Sequence, residues 1–223
     1  ASLPDIFVRI NEVLNNPRSS VAHVADAIGK DQSLSAKLLK LVNSPFYGFA
    51  SRIETLTRAV TIIGSRQLTM LALGISVISH FKDIPQTLLD MRAFWSHSIA
   101  CGIVAKLLAS HLAPAAEERC FVAGLLHDIG RLVIFKNAPE VGRVIVASAW
   151  QANLDMLEAE QVLLGFDHAR VGGLLTLGWR LPPVLERAVR HHHAPSRGEE
   201  GREAALVNAA DAIAHALLYG SGG

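Results

Sequence analysis

A buried histidine–aspartate pair carries the most evident chemistry of this sequence. His127 and Asp128 are adjacent within the apolar run Cys120–Phe135, where hydrophobic residues occupy every helical face. The run therefore predicts a buried helix. An ionised carboxylate in such surroundings costs several kcal/mol unless a cation, hydrogen-bond donors or a metal ion compensates it. We therefore expect a compensating group beside Asp128.

Other residues that can bind a cation occur in a defined order along the rest of the chain. Each of them interrupts or borders an apolar helical stretch. They are His97 in FWSHS, His168 in GFDHARVGG, His192 and His193 in RHHHAP, and Asp211 in NAADAIAH. Imidazoles combined with carboxylates suit Fe, Mn, Zn or Ni, and one carboxylate can bridge two ions. No single spacing is diagnostic, but the ordered series indicates a metal site.

These motifs resemble those of a known family. The series His, His-Asp, His, His-His, Asp resembles the HD superfamily of metal-dependent phosphohydrolases. The remainder is similar to the HDOD domain, the HD-related output domain of bacterial signalling proteins. The resemblance extends from about Leu3 to about Leu218. Its N-terminal motifs are LPDIFVRINEVL, DQSLSAKLLKLVNSPFYG and IETLTRAVTIIGSRQL, and its C-terminal motifs are AGLLHDIGRLV, GFDHARVGGLL and WRLPPVLERAVRHHHAP.

The resemblance implies two divalent ions that share one carboxylate. The first ion would be bound by His97, His127, Asp128 and Asp211. The second would share Asp128 and add His168, His192 and His193. The HHxP register of the family leaves His191 at a helix end, facing solvent. Two ions close together lower the pKa of a bridging water and clamp a phosphoryl oxygen, which is the chemistry of phosphoester hydrolysis.

The sequence also departs from the pattern of cyclic-dinucleotide phosphodiesterases of the HD-GYP type. Those enzymes follow the paired histidines with Glu and a Gly-Tyr-Pro signature, whereas this chain continues with Ala194 and Pro195. Arg131 stands where they usually carry Lys. A guanidinium matches phosphate geometry, so Arg131 could clamp a phosphate or could pair with Asp128. The departures argue against a cyclic-dinucleotide phosphodiesterase, and no catalytic residue is assigned.

Two classes of function follow from the resemblance. The first is a bacterial, cytoplasmic signal-transduction module that acts through contacts with other signalling proteins and contains a two-metal site. The second is a metal-dependent phosphohydrolase that acts on a nucleotide or another phosphoester. A metal-free polar network, in which the histidines donate to Asp128 and Asp211, stays open as an alternative to the metal site.

The periodicity of apolar residues predicts the fold class. Apolar residues recur at i, i+3 and i+4 almost everywhere, and no alternating strand pattern occurs. With the resemblance, this predicts an all-α, two-lobed fold with an N-terminal helical bundle and an HD-type helical core. We expect one HDOD domain at residues 3–218, with lobes at 3–81 and 86–218 and a disordered tail at 219–223. The predicted core of the second lobe includes Leu125, Leu126, Ile129, Val133, Leu174 and Leu177.

Composition and local motifs indicate whether the chain binds nucleic acid or a membrane. The pattern of residues 21–42 predicts two short helices around a turn, as in a helix-turn-helix. A DNA-binding regulator is therefore a minor alternative. The second of these helices, which Ser33 could cap, offers only Gln32 for reading base edges, and the net charge is +1. Nucleic acid is therefore not expected as a partner. The most apolar segment, Leu68–Ile78, is too short to span a bilayer, so no membrane insertion is expected.

Two cysteines, Cys101 and Cys120, form no CxxC pair and indicate a reducing compartment. Cys101 follows His97 by one helical turn, so it could approach a metal ion or serve as a small buried hydrophobe. The first residues, ASLPDI, contain no basic region followed by an apolar core, so no signal peptide is expected.

Overall fold

The structure is a computed structural model. The part of the chain that it describes is built from helices. That part comprises residues 8–9, 12–13, 16, 18–45, 47–81, 84–196 and 201–217, without the side chains of 78–80. All regular structure in these ranges is helical, which confirms the predicted all-α class. The chain divides into two compact units, Ala1–Lys82 and Asp83–Gly223. Lys82 and Asp83, at the predicted join, lie outside the described residues.

From Val21 onwards, the described part of the first unit contains helices α1 to α4, which span Val21–Gly29, Gln32–Val42, Leu56–Ile63 and Ser65–His80. Helix α1 begins with a capping box, in which the Ser20 hydroxyl accepts from the backbone N–H of His23. Helix α2 begins earlier than predicted. Asp31, rather than Ser33, caps it, because the Asp31 carboxylate accepts from the backbone N–H of Leu34 at 2.9 Å.

The second unit contains α5 to α12. These helices span Met91–Leu112, Glu117–Leu126, Ile129–Asn137, Pro139–Ala152, Met156–Leu164, His168–Gly178, Pro183–His191 and Arg202–Ala216, with a short 3-10 turn at Pro114–Ala116. Helix α5 packs against α6 and α12, and α10 packs against α7 and α11. Helix α11 also contacts α6 and α12. The helices that carry the predicted ligands therefore meet within one unit.

The predicted helix through His127 and Asp128 is interrupted at these two residues. Helix α6 ends at Leu126 and α7 begins at Ile129, and Asp128 has φ −93° and ψ 8°. Adjacent residues of a continuous helix point about 100° apart. The interruption releases His127 and Asp128 from that constraint, so that both side chains face the same cluster.

Glycines bring α7 and α10 into close contact. A Cβ atom at Gly130 would lie 2.0 Å from the carbonyl oxygen of His168 and 2.6 Å from the backbone nitrogen of Gly172. Only a residue without a side chain fits there. Because α10 buries this small-residue face, two of its three leucines point outwards.

The predicted core is therefore partly wrong. Leu174 and Leu177 are 55% and 58% exposed, because the buried face of α10 is formed by small residues. Val133 is half-buried. The other three predicted core residues, which flank the interrupted helix, are buried as expected: Leu125, Leu126 and Ile129.

Helix α5 is long and apolar enough to cross a membrane by length and composition, and so is the bent pair of α3 and α4 if it is taken as one span. Core helices pass the same test. The buried face of α5 carries His97, Ser98 and Cys101 and packs against two helices of its own unit. These are properties of a helix in a protein core.

Candidate metal centre

The structure brings all the predicted ligand residues together in three overlapping groups. Within each group, one ligand atom per residue lies within 4.8 Å of the others. The groups are His97, His127 and Asp128; Asp128, His168, His192 and His193; and His97, Asp211 and His215. The first two share Asp128, as the predicted bridging role requires. Whether these residues bind metal stays a prediction.

Asp128 lies at the centre of the cluster and is 3% exposed. Its Oδ1 atom is 2.9 Å from Nε2 of His168, 3.5 Å from Nε2 of His127 and 3.8 Å from Nε2 of His192. Its Oδ2 atom is 3.2 Å from Nη1 of Arg131. Burial raises the pKa of Asp128, but Arg131 and the neighbouring histidines outweigh burial and hold this pKa well below its usual value. Asp128 is therefore an ionised, buried carboxylate.

The backbone fixes the orientation of two histidine rings. Nδ1 of His127 lies 2.7 Å from the carbonyl oxygen of Gly124, and Nδ1 of His192 lies 2.8 Å from that of Val189. Because a carbonyl can only accept, each Nδ1 carries a proton, and a neutral ring presents its Nε2 lone pair to the cluster. Both Nε2 atoms are buried and have no hydrogen-bond partner among the described residues. Histidines that bind metals are commonly oriented in this way.

A buried glutamate that the sequence analysis missed orients the third histidine. Glu160, on α9, is fully buried, and its Oε2 accepts from the backbone N–H of His168 at 2.7 Å and from Nδ1 at 2.6 Å. These bonds turn Nε2 of His168 towards Asp128 and towards Nε2 of His193, 2.9 Å away. The signal in the sequence was an acidic residue on the same face of α9 as Met156.

Arg131 supplies positive charge beside these carboxylates. Its side chain is 8% exposed, with Nη1 near Asp128 and Nε 3.7 Å from Oε1 of Glu160. The predicted alternative of pairing with Asp128 thus agrees with the geometry. The phosphate clamp stays a prediction.

Asp211 forms a second carboxylate centre on α12. Its Oδ1 atom lies 2.9 Å from Nε2 of His97, 3.1 Å from Nδ1 of His215 and 3.5 Å from Nε2 of His127. Burial raises the pKa of Asp211, but contacts with His127, His215 and His97 lower it well below its usual value. His215 was not singled out in the sequence, because it is not part of the ordered series of residues that indicated the metal site.

The histidines differ in how readily they take up a proton. Burial and the neighbouring imidazoles lower the pKa of His192 well below 6.5 and that of His193 to about 4. Burial also opposes protonation of His127, but Asp128 and Asp211 outweigh it and hold the pKa of His127 well above 6.5. At neutral pH, His192 and His193 are therefore neutral, whereas a metal ion would have to displace a proton from His127.

The residues present fit a pair of borderline divalent ions. Imidazole nitrogens and carboxylate oxygens are ligands for Fe, Mn, Zn and Ni. A metal-free network explains the contact between His168 and Asp128 and, through the two carboxylates 3.5 Å from Nε2 of His127, the raised pKa of that ring. It leaves Nε2 of His192 without a hydrogen bond in the described part of the chain. His191 is exposed, as the predicted register requires.

The two cysteines lie outside the three ligand groups formed by the described residues. Sγ of Cys101 is 3.9 Å from the carbonyl oxygen of Val207, which agrees with a small buried residue. Cys120 is also buried, and burial, followed by the charge of Glu203, raises the pKa of its thiol to about 12.

Comparisons with known proteins show the family and the fold of this chain. The model of the HDOD domain family matches residues 1–195. An HDOD domain protein of unknown function from Geobacter sulfurreducens is 29% identical, with a TM-score of 0.84 over 100% of this chain and 75% of that chain. A candidate phosphohydrolase from Shewanella amazonensis SB2B is also 29% identical, with a TM-score of 0.83 over 97% of this chain and 77% of that one.

Two further relatives are longer than this chain. A candidate signal transduction protein from Marinobacter aquaeolei VT8 is 25% identical, with a TM-score of 0.76 over 100% of this chain and 51% of that chain. An uncharacterized protein from Treponema pallidum (strain Nichols) is 26% identical over 200 residues, which are 89% of this chain and 38% of that protein. The chain thus spans well under half the length of this curated relative.

Proposed function

Because the chain belongs to the HDOD family, we propose that it is a bacterial, cytoplasmic signal-transduction module whose second unit binds two divalent metal ions. The observation that carries the metal site is the pair of buried histidines, His127 and His192, whose backbone-fixed rings direct unbonded Nε2 atoms into the cluster. The likeness to a candidate signal transduction protein supports the signalling role.

The three residue groups supply the ligands of the proposed centre. The first ion would be held by His97, His127, Asp128 and Asp211. The second would be held by Asp128, His168, His192 and His193. Bound ions would supply Lewis acidity, which polarises a phosphoryl oxygen or lowers the pKa of a bound water. Glu160 holds the ring of His168 in its binding orientation, and Arg131 offsets the charge of the buried carboxylates.

The separation in sequence of the helices that carry these ligands supports a regulatory role. His97, His168 and Asp211 lie on α5, α10 and α12, which are far apart in sequence. Ligands must converge for a metal to bind, so binding stabilises one arrangement of these helices. We propose that this arrangement fixes the surface that the module presents to other signalling proteins.

Elemental analysis of the purified protein tests the metal centre. We expect about two equivalents of Fe, Mn, Zn or Ni per chain, and almost none in Asp128→Ala, because the shared ligand is lost. Glu140→Ala, which removes an exposed acid of the same unit, is the control and should keep both ions. Wild-type protein without these metals, and with a melting temperature unchanged by chelation, would instead support the metal-free network.

A metal-dependent phosphohydrolase is the second candidate. The specific observation in its favour is the Arg131 guanidinium 3.2 Å from Asp128, because such a group can bind phosphoryl oxygens beside a metal pair. The likeness to a candidate phosphohydrolase also supports it. A screen of metal-loaded protein against nucleotides and other phosphoesters separates the candidates. Hydrolysis that Asp128→Ala abolishes and the exposed-site variant His111→Ala retains would establish an enzyme.

A further inference from the structure

His215 adds a further nitrogen to the cluster from the helix that carries Asp211. The two residues lie one turn apart on α12, so their side chains share a face. Nδ1 of His215 is 3.1 Å from Oδ1 of Asp211 and 3.1 Å from the backbone carbonyl oxygen of the same residue. Two ligand side chains four residues apart on a helix can bind one metal ion together.

A third residue completes this group from a different helix. Nε2 of His97, on α5, is 2.9 Å from the same Asp211 oxygen. The ring centroids of His97 and His215 are 4.3 Å apart, with the planes tilted by 56°. The ligand atoms of the three residues therefore converge within 4.8 Å.

The Asp211 oxygen at the centre of this group is not satisfied by hydrogen bonding. Oδ1 is buried and has no partner of hydrogen-bond geometry among the described residues, although three imidazole nitrogens lie within 3.5 Å. These nitrogens lie close to the carboxylate but outside the direction of a hydrogen bond. A cation bound between them could contact the nitrogens and the carboxylate together. Nδ1 of His215 also faces the backbone carbonyl oxygen of Asp211, so it carries a proton when no metal is bound. A ligand role for His215 therefore requires that a metal ion displace this proton, as at His127.

We infer that His215 is a direct ligand of the first ion, beside His97 and Asp211, at the solvent side of the centre. This inference rests on the proposed metal centre. The side chain of His215 is 46% exposed, whereas that of His97 is fully buried. His215 is thus the member of the group that a departing ion or an incoming chelator reaches from solvent. It sets the affinity and release rate of the first ion and has no part in holding the second.

The test measures metal affinity in the full chain. Metal-free protein is titrated with Co²⁺ in competition with a chromophoric chelator, and the visible spectrum reports the ligands of each ion. His215→Ala should weaken one of the two ions by about tenfold or more, change its spectrum and speed its release to chelator. The second ion should keep its wild-type affinity. His111→Ala, another exposed histidine of this unit, is the control.

A second variant separates binding of metal from orientation of Asp211. His215→Asn keeps an N–H donor near the position of Nδ1 but is a poor metal ligand, so it should lose affinity as His215→Ala does. Wild-type affinity in His215→Asn would assign His215 an orienting role and overturn the inference. Unchanged affinities in His215→Ala would overturn it as well, with the metal centre intact. Wild-type protein that binds no Co²⁺ would overturn the metal centre itself and this ligand with it.

Discussion

At the scale of single residues, the cluster depends on groups that orient its histidines. Glu160 accepts two hydrogen bonds from His168 and lies near Arg131. Glu160→Ala would leave buried donors and a buried guanidinium without this carboxylate. We expect a loss of about 3–5 kcal/mol in the free energy of unfolding, measured by urea denaturation.

Two further variants make this prediction specific. Glu160→Gln keeps an acceptor oxygen and should lose clearly less stability than Glu160→Ala. Glu158→Ala, an exposed acid on the same helix, should change the free energy of unfolding by less than about 1 kcal/mol. Equal effects of the two alanine substitutions would contradict the role given to Glu160.

The lowered pKa values predict how the metal-free protein responds to acid. The pKa of His193 is lowered to about 4, first by burial and then by His168, while an unfolded chain takes up this proton near 6.5. Between these pH values the unfolded state binds more protons, so the free energy of unfolding should fall as the pH decreases. His192 acts in the same direction. His127 and His168, whose pKa values are raised, oppose this slope near pH 6.5, where only the unfolded chain releases their protons, and add nothing at lower pH. The lowered pKa values of Asp128 and Asp211 add to the slope towards pH 4.

Urea denaturation at a series of pH values, in the presence of chelator, checks this dependence. The slope between pH 6.5 and pH 4 should be smaller in His193→Gln, because one of the groups that drive it is removed. A free energy of unfolding that is constant, or that rises towards acid pH, would contradict the assignment.

Residue types and their order were sufficient to find seven members of the cluster, because histidine and aspartate in apolar helices require compensation. They were not sufficient to find Glu160 and His215. A single acid in α9 and a histidine near the end of α12 can be recognised only from their neighbours in space. Glu160 contacts His168 and Arg131, and His215 contacts Asp211 on its own helix and His97 on another.

At the scale of helices, the close contact between α7 and α10 positions His168. In Gly130→Ala, the new Cβ would meet the backbone of His168 and Gly172, which cannot move aside as a side chain can. The helices must separate, at a cost of about 1–3 kcal/mol or more. We also expect weaker metal binding, because His168 moves away from Asp128. The melting temperature and the metal content measure the two effects.

Gly178→Ala is the matched control on α10. Nothing lies within 4 Å of a Cβ atom at Gly178. The substitution should be neutral or stabilise the helix by up to about 1 kcal/mol. A Gly130→Ala protein that melts like Gly178→Ala and keeps its metal would show that the contact does not position His168.

Helices were easier to predict than the faces that they bury. Periodicity located α10, but the large leucines suggested the wrong face, since close packing here uses glycine and alanine instead. The interruption at His127 and Asp128 was also missed. The nearby Gly124 and Gly130 lie within the flanking helices and do not mark it, and contacts of His127 and Asp128 with distant residues stabilise it.

At the scale of the whole molecule, all predicted ligands belong to the second of the two units. A ligand that binds only the folded state stabilises the unit that holds it. Chelation should therefore speed amide hydrogen exchange in α5, α10, α11 and α12 and leave α1 to α4 unchanged. Exchange followed by mass spectrometry checks this, with Asp128→Ala as the control that should not respond to chelator. Equal acceleration in both units would contradict a metal site confined to the second.

The all-α class could be predicted from periodicity because it needs only local information. The division near Lys82 was proposed from a polar segment containing a proline, and contacts divide the chain at the same place. The bounds of a single HDOD domain at 3–218 stay a prediction. They depend on how a longer chain would fold.

The two native cysteines are placed so that dyes can be attached elsewhere to measure motion of the two units. The chain has only these two, both are buried, and the Cys120 thiol, with its pKa of about 12, is almost never a reactive thiolate near pH 7. A maleimide dye would therefore react with cysteines newly placed at exposed sites such as Ser33 in the first unit and Gln151 in the second. Energy transfer between two such dyes would report the separation of the units in solution, with and without metal.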